Sequence, residues 1–565
     1  MRLKKYLFDN TGGHRMTIAL VLCLLGLCLL SAVASVIKPR RTVKPDVDNK
    51  VYLVHSDELK YDAYGNNPDA QVFKGNVHFL HRGAHLWCDS AYFFQEANAM
   101  QAFGHVRFKQ GDTLSLTCDY ADYDGVEQMM QARHNVIMKH RQQTLYADSL
   151  NYDRLYNNAY YFEGGELIDG KDKLVSDWGE YNTSTRQAAF FYNVKMRSDR
   201  QVITTDTLYY DTNEKQAHVM GPSKVVSGAN TIYTRDAWLN TRTDQSQLFG
   251  RSTIIDGAKV ITGDSLYHNS NTGANEGYGN VVYLDTLNKN ELNCGILQYN
   301  DKTGYGYATK NVLLKDFSQK GVDTLYMHSD SLKIYTYNID TDSVYRKVHA
   351  FDKVRVYRTD IQAVCDSLVL NSLDSCMTMY HDPIVWNYRR QLLGEEIRVY
   401  MNDSTIRHAQ VIGQALSVEQ VDTQNHFDQV SSRLMDAFFT DGVIRRVVTT
   451  GNVKSVYYIS DNKDSTLTNL NYIETDTMRL FLSKDRQLEK IWAPRSRGVV
   501  YPITQIPPDR YKLPEFAWFD DLRPVSPDDV FVWRGKKEDD KLNVIKRQQA
   551  PLQQLRRRAS IGGER

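Results

Sequence analysis

Apolar and polar residues alternate along most of this chain in short runs, and the runs repeat. In LYADSLNYD, Leu145, Ala147, Ser149 and Asn151 share one parity, while Tyr146, Asp148, Leu150 and Tyr152 share the other. A period of two describes a half-buried strand, whose successive side chains point to opposite faces. Related phrases are LWCDSAYFF at Leu86, LTCDYADYD at Leu116, ITTDTLYYD at Ile203 and ITGDSLYHN at Ile261. Aligned on the acid, they fall at Asp89, Asp119, Asp148, Asp177, Asp206, Asp236 and Asp264, in steps of 30, 29, 29, 29, 30 and 28 residues. Looser copies follow at Asp330, Asp366, Asp436 and Asp476, and Cys294-Gly295 stands where another would fall.

A second phrase lies between copies of the first. It reads GNVHFL at Gly75, GHVRFK at Gly104, HNVIMK at His134, YNVKMR at Tyr192, GNVVYL at Gly279 and KNVLLK at Lys310. Val77 and Phe79 point one way, and Asn76 and His78 the other. Gly-Asn, Asp-Gly and Asn-Asn pairs predict turns between strands, for example at Asp124-Gly125 and Asp256-Gly257. No helical pattern is regularly interposed, which disfavours a βα solenoid. A sheet unit this small cannot bury its face alone, but stacked neighbours can. The expected fold is therefore all-β: an elongated, repetitive, solenoid-like stack of two walls with repeats of about 29 residues. With about 13 phrases adding one rung each at roughly 4.8 Å, the stack would be on the order of 60 Å long.

The N-terminus carries a separate pattern. Arg2, Lys4, Lys5 and Arg15 precede an almost wholly apolar run, Thr17 to Val36, that ends in a small-residue AVA. This order fits either a cleaved signal peptide or a retained single anchor; both send the remaining chain across a membrane. The expected organisation is 1–36 signal or anchor, 37–50 linker, 51–300 regular repeats and 301–482 repeats with longer loops. A Pro-rich extended cap or arm at 483–540 and a basic tail at 541–565 follow. With 69 Lys plus Arg against 68 Asp plus Glu, charge gives no pull toward nucleic acid. The seven cysteines contain no CxxC, so zinc and redox motifs gain no support.

A ladder of carboxylates invites three readings. Paired acids cleave polysaccharides in some β-solenoids, and dense Gly-Asp repeats hold calcium. Here the Asp is mostly followed by Ser, Thr or Tyr and then an apolar residue, as at Asp89, Asp119, Asp148, Asp206 and Asp264. This context favours a structural turn, in which the carboxylate accepts its own downstream backbone N–H. No metal, cofactor or catalytic residue is assigned. His78, His81, His85, His134 and His140 are expected on the surface, because a strand does not bring such spacings to one metal. The pair Glu395-Glu396 sits at a repeat position and needs no chemistry.

GNVHFLHRGAHLWCDSAYFF and GHVRFKQGDTLSLTCDYADYD resemble the OstA-like N-terminal domain family of lipopolysaccharide-export proteins. The likeness rests on Gly75, Asn76, Val77, Asp89, Ala91 and Tyr92, then Asp119, Ala121 and Tyr123, then Asp148, Leu150 and Tyr152, and it extends over about 51–482. The resemblance implies a β-jellyroll (β-taco) with an open seam, in a periplasmic, non-enzymatic bridge that carries lipopolysaccharide or a related glycolipid toward the outer membrane. It implies edge-to-edge stacking with other β-jellyroll components and an inner-membrane contact through 17–36. The groove candidates are the inward parity set Val77, Phe79, Val106, Phe108, Val136, Met138, Val194, Met196, Val281 and Tyr283; a plain core would show the same pattern. The chain departs from the outer-membrane members by lacking their large barrel. Two other functions fit the repeats: a surface or periplasmic scaffold or adhesin, and, more weakly, a polysaccharide-acting enzyme.

Overall fold

A computed structural model describes residues 49–534 except 62–63, 65–67, 319–322, 340, 403–404 and 462–465. The apolar run at 17–36 and the basic tail at 541–565 lie outside the described residues. Among the described residues there is no α-helix, and none long and apolar enough to cross a membrane. The described residues form an all-β antiparallel stack, with about 70% of them in strands. They divide into two compact units: 49–111 with 122–128, and 112–121 with 129–534.

Within each unit, strands of about 11 residues follow one another as a meander, each paired with its neighbours in sequence. Gln201–Asp211 pairs with Gln187–Arg197 on one side and with Gln216–Ser227 on the other. Short turns such as Gly170-Lys171 alternate with four-residue turns such as Thr212–Lys215. The long strands break register near the middle, and there they pass from one wall to the other; short strands such as Asn158–Tyr161 and Gly165–Asp169 pair without a break. One wall ends at the short turns and the other at the four-residue turns.

The crease between the walls explains both repeated phrases. Gly75-Asn76 is not a turn between strands; it lies inside Gln71–His81, where pairing jumps from Lys74 to Val77. Both residues are left-handed, with φ of 76° and 46°, and two such residues in succession bend the strand. The repeat Asp stands opposite, on the preceding strand. Asn135, Asn193 and Asn280 donate their side-chain amides to Asp119, Asp177 and Asp264 at 2.7, 2.6 and 3.0 Å. His105 Nδ1 lies 2.7 Å from Asp89 in the same relation. A Cβ on Gly279 would meet the Asp264 carboxylate at 2.5 Å, so glycine lets the acid close over the bend.

These contacts correct four expectations. At Asp119, Asp177 and Asp264 the repeat acid accepts from an Asn side chain sixteen residues on, not from its own downstream backbone. The Asx turn belongs to the residue that ends the phrase: Asp211 Oδ1 accepts from Asn213 N and Glu214 N, and Asn240 Oδ1 from Arg242 N and Thr243 N. At Asp236 the register is displaced by one, since pairing breaks between Tyr233 and Asp236. Arg235 therefore stands near the bend, and Asp236 instead lies 2.9 Å from His218. Finally, each period contributes two strands rather than one rung, a rise of roughly 9.6 Å at the usual strand spacing.

Beyond the last strands, Ile503–Phe531 runs as an arm with four short 3-10 turns across the outer face of the short-turn wall. Three buried glutamines hold it. In register, Gln362 pairs with Trp386, Trp386 with Gln391, Gln391 with Val418 and Val418 with Gln429, forming one row across the sheet. Gln429 accepts from Leu513 N and donates to Tyr511 O, both at 2.8 Å. Gln391 donates to Ala517 O at 2.9 Å and accepts from Phe519 N at 2.8 Å. Gln362 accepts from Arg523 Nε at 2.7 Å. Phe516, Ala517, Trp518, Phe519 and Leu522 cover the apolar cluster of Ile384, Trp386, Leu393 and Phe427.

Candidate functional site

The space between the walls is closed in one stretch and open in another. In the smaller unit, Val77, Phe79, Val106 and Phe108 are no more than 2% exposed. The Phe79 ring lies 5.8 and 5.7 Å from Phe73 and Phe93 of the opposite wall, so the two walls touch. In the larger unit Val136, Met138, Val194 and Met196 are buried to the same degree. These eight groove candidates therefore pack as a closed core.

The seam of that stretch is clasped by polar side chains. Tyr123, Tyr152, Tyr181 and Tyr210 recur every 29 residues, four places after the repeat Asp, and all are buried on the four-residue-turn wall. Within the smaller unit Tyr123 OH is 2.7 Å from His81 Nδ1. Within the larger, Tyr181 OH is 2.8 Å from His140 Nδ1, and Tyr152 bonds Thr183 of the adjacent turn. His81 and His140, expected on the surface, continue the inward parity of Val77-Phe79 and Val136-Met138 and are buried. Their imidazoles face tyrosines across the seam; burial lowers the His140 pKa. His78 and His85 point outward and stack with Trp87.

The strongest clasp surrounds Tyr210. Its hydroxyl lies 2.7 Å from Asp172 Oδ2 and 3.1 Å from Asp169 Oδ2. Lys215 pairs with Asp169, Gln143 donates to Asp169 at 2.9 Å, and Thr241 donates to Asp172 at 3.1 Å. The carboxylates come from the short-turn edge, and Tyr210, Lys215 and Thr241 from the four-residue-turn edge. Burial and the Asp172 hydrogen bond raise the Tyr210 pKa, keeping the phenol protonated.

Beyond Thr241 the clasp ends. Leu239 and His268 take the tyrosine position. His268 Nδ1 lies 2.8 Å from Asn275 on its own wall, and Asn275 donates to Asp301 at 2.7 Å. On the other edge Asp285 Oδ1 accepts from Leu287 N and Asn288 N of its own turn. Lip residues here satisfy one another within a wall instead of across the seam. Several inward apolar side chains become half-buried: Ile261, Tyr283 and Leu314 on the short-turn wall, Ile334, Val348 and Leu370 on the other, while Leu292, Met327 and Leu332 between them stay buried. Val281 remains fully buried at the crease, while burial pushes the Tyr283 phenol up to about 12. The same half-buried lining continues through Met401, Val430, Ala437 and Leu480. One lip carries charge: Arg390 pairs with Glu419, which faces Asp428 in register. Of the residues proposed from sequence, Tyr283 lies in this half-buried lining, and Val281 is buried at its crease.

Residues 48–206 match the family model described as OstA-like protein. That stretch is similar to the OstA-like family. A comparison with curated proteins finds no match. The matched stretch contains His81, His140, Asp169, Asp172 and the tyrosines up to Tyr181, while Tyr210, Lys215 and Thr241 of the clasp lie beyond it. The open groove lies beyond it in sequence.

The repeat acids sit along the outer crease, with Asp89 and Asp148 side chains more than half exposed. Among the described residues no three His, Cys, Asp or Glu side chains are grouped to hold a metal. The five cysteines of the described chain are free and buried, and burial pushes Cys88, Cys118 and Cys294 up to about 12. Glu396 is buried against Arg398, and burial raises the Glu395 pKa. Neither acid lines the groove as a pair.

Proposed function

We propose that the chain is a non-enzymatic periplasmic lipid carrier that holds acyl chains of lipopolysaccharide or a related glycolipid in the open groove beyond Thr241. It serves as part of a bridge toward the outer membrane. The observation that carries this reading is the change from a clasped seam to half-buried apolar walls facing each other. Partly exposed Leu, Ile and Val on both walls leave some apolar surface in water, and an acyl chain laid between them gains about 0.8 kcal/mol per CH₂. The Arg390, Glu419 and Asp428 lip offers polar contacts to a headgroup while the chains stay below. The OstA-like domain supports the same reading by family.

The end rungs support stacking with other β-jellyroll components. Tyr52–His55 and Glu58–Tyr61 both pair with Gln71–His81 and are exposed throughout. Arg497–Pro502 is likewise an exposed edge, with Val499 and Val500 about half exposed. Such edges accept a further strand. The rival reading, a scaffold or adhesin, draws on the outward row Trp178, Phe191, Tyr209, His218 and Trp238, whose rings contact in succession.

Purified full-length protein incubated with radiolabelled lipopolysaccharide distinguishes the two. Leu314→Glu or Val348→Glu should reduce retained lipid at least tenfold, since a charge without a partner costs several kcal/mol to desolvate. Thr262→Glu, on the outward parity, should leave it unchanged. No retention by the wild type, or equal retention by all variants, leaves a scaffold.

A further inference from the structure

We propose that the cavity between the arm and the outer face of the short-turn wall is an oxyanion site built on Arg355, sized for a phosphate group. It lies on the opposite face of that wall from the lipid groove. Arg355 is 3% exposed. Its Nε donates to Val530 O, and its guanidinium lies 5.4 Å from the Trp533 ring centroid. Its Nη1 is buried without a hydrogen-bond partner. Burial pulls its pKa down to about 10, the direction expected where a buried cation has too little negative charge around it.

The neighbouring charges are already matched. Arg534 is held by Asp529, His381 lies 3.4 Å from Asp366, and Lys353 lies 3.5 Å from Asp330. Arg355 is left as the cation of the group without a carboxylate at salt-bridge distance. Buried guanidinium groups are stable when an anion takes their free N–H groups, and phosphate matches that planar fork. The cavity, of about 210 Å³, is lined by Arg355, Arg534, His381 and Trp533, and also by Asp366 and Asp382. The two acids oppose an anion, so their neutralisation should tighten binding. The phosphate could be free or part of a sugar headgroup.

Calorimetry on the full-length protein tests this, with inorganic phosphate titrated at ionic strength matched by chloride. Wild type should bind, and Arg355→Gln should weaken binding at least tenfold. Glucose 1-phosphate separates the sources: tighter binding than phosphate marks a headgroup site, equal or weaker binding a free-phosphate site, and both retain the oxyanion assignment. Because Arg355 also touches the arm, Asp366→Asn supplies a second readout, with affinity expected to rise severalfold. Absence of binding in wild type, equal binding in Arg355→Gln with the arm still protease-resistant, or no gain in Asp366→Asn overturns the proposal. Glu538, Asp539 and Asp540 follow Arg534 closely in sequence. Binding seen only after these three are neutralised would assign Arg355 to the chain's own acids and overturn an external ligand.

Discussion

Tyr210→Phe removes one oxygen from the clasp and nothing else. In the wild type that hydroxyl serves two buried carboxylates, at 2.7 and 3.1 Å. Asp169 keeps Lys215 and Gln143, but Asp172 is left with Thr241 at 3.1 Å. A buried charged acceptor that loses a donor costs about 1–3 kcal/mol. The loss should be local, because each strand touches only its neighbours and the contact crosses the seam. Hydrogen exchange at the turns 170–172, 212–215 and 241–244 should accelerate roughly 5- to 150-fold, at 1.4 kcal/mol per decade. Tyr152→Phe is the control, since its partner Thr183 is neutral and lies on the same wall; the same amides should change less than threefold. Equal acceleration in both variants, or none in Tyr210→Phe, would refute the clasp.

Gln391→Ala should free the arm, because Ala517 O and Phe519 N each lose their side-chain partner; limited proteolysis should then cut within 503–534 while the strands stay intact, and an uncut arm contradicts the glutamine row. Burial, with Glu419 nearby, raises the Asp428 pKa to about 7, opposed by the Tyr458 N–H and Arg390. A carboxyl raised in the folded state binds its proton more tightly there than in the unfolded chain, so stability falls as pH rises from about 4 to about 7 and stays lower above. Asp428→Asn should therefore raise Tm at pH 8, by up to about 4 kcal/mol of stability, and converge with wild type below pH 4; an equal effect at both pH values contradicts the buried-carboxyl origin.

Strand parity was legible because it is a property of neighbouring residues. It placed Val77, Phe79, Val136 and Met138 inside, and the OstA-like resemblance located the family. The bend in each strand was not legible. Gly75-Asn76 looks the same whether it reverses a chain or folds one strand across two walls, since both require left-handed backbone. Only the partner strand decides, through Asp and Asn sixteen residues apart. Parity alone also cannot separate a closed core from an open one, because Met138 and Tyr283 obey it equally. One signal was present: the tyrosine four places after the repeat Asp persists through Tyr210 and becomes Leu239 and His268. Its meaning depends on His81, His140, Asp169 and Asp172, brought to it by the fold. The histidines were misplaced for the same reason, as their inward parity was outweighed by their polarity.

The most direct test of lipid passage through the open groove is site-specific photo-crosslinking in cells. A benzophenone side chain at Tyr283, Leu314, Ile334 or Val348 should yield glycolipid adducts. The same probe at Met138 or Met196, inside the clasped core, and at Thr262, facing outward, should yield none. Adducts at Met138 and Met196 equal to those at Leu314 would contradict the division between closed core and open groove. Absence of adducts at all four groove positions, with the protein folded and exported, would contradict lipid carriage itself.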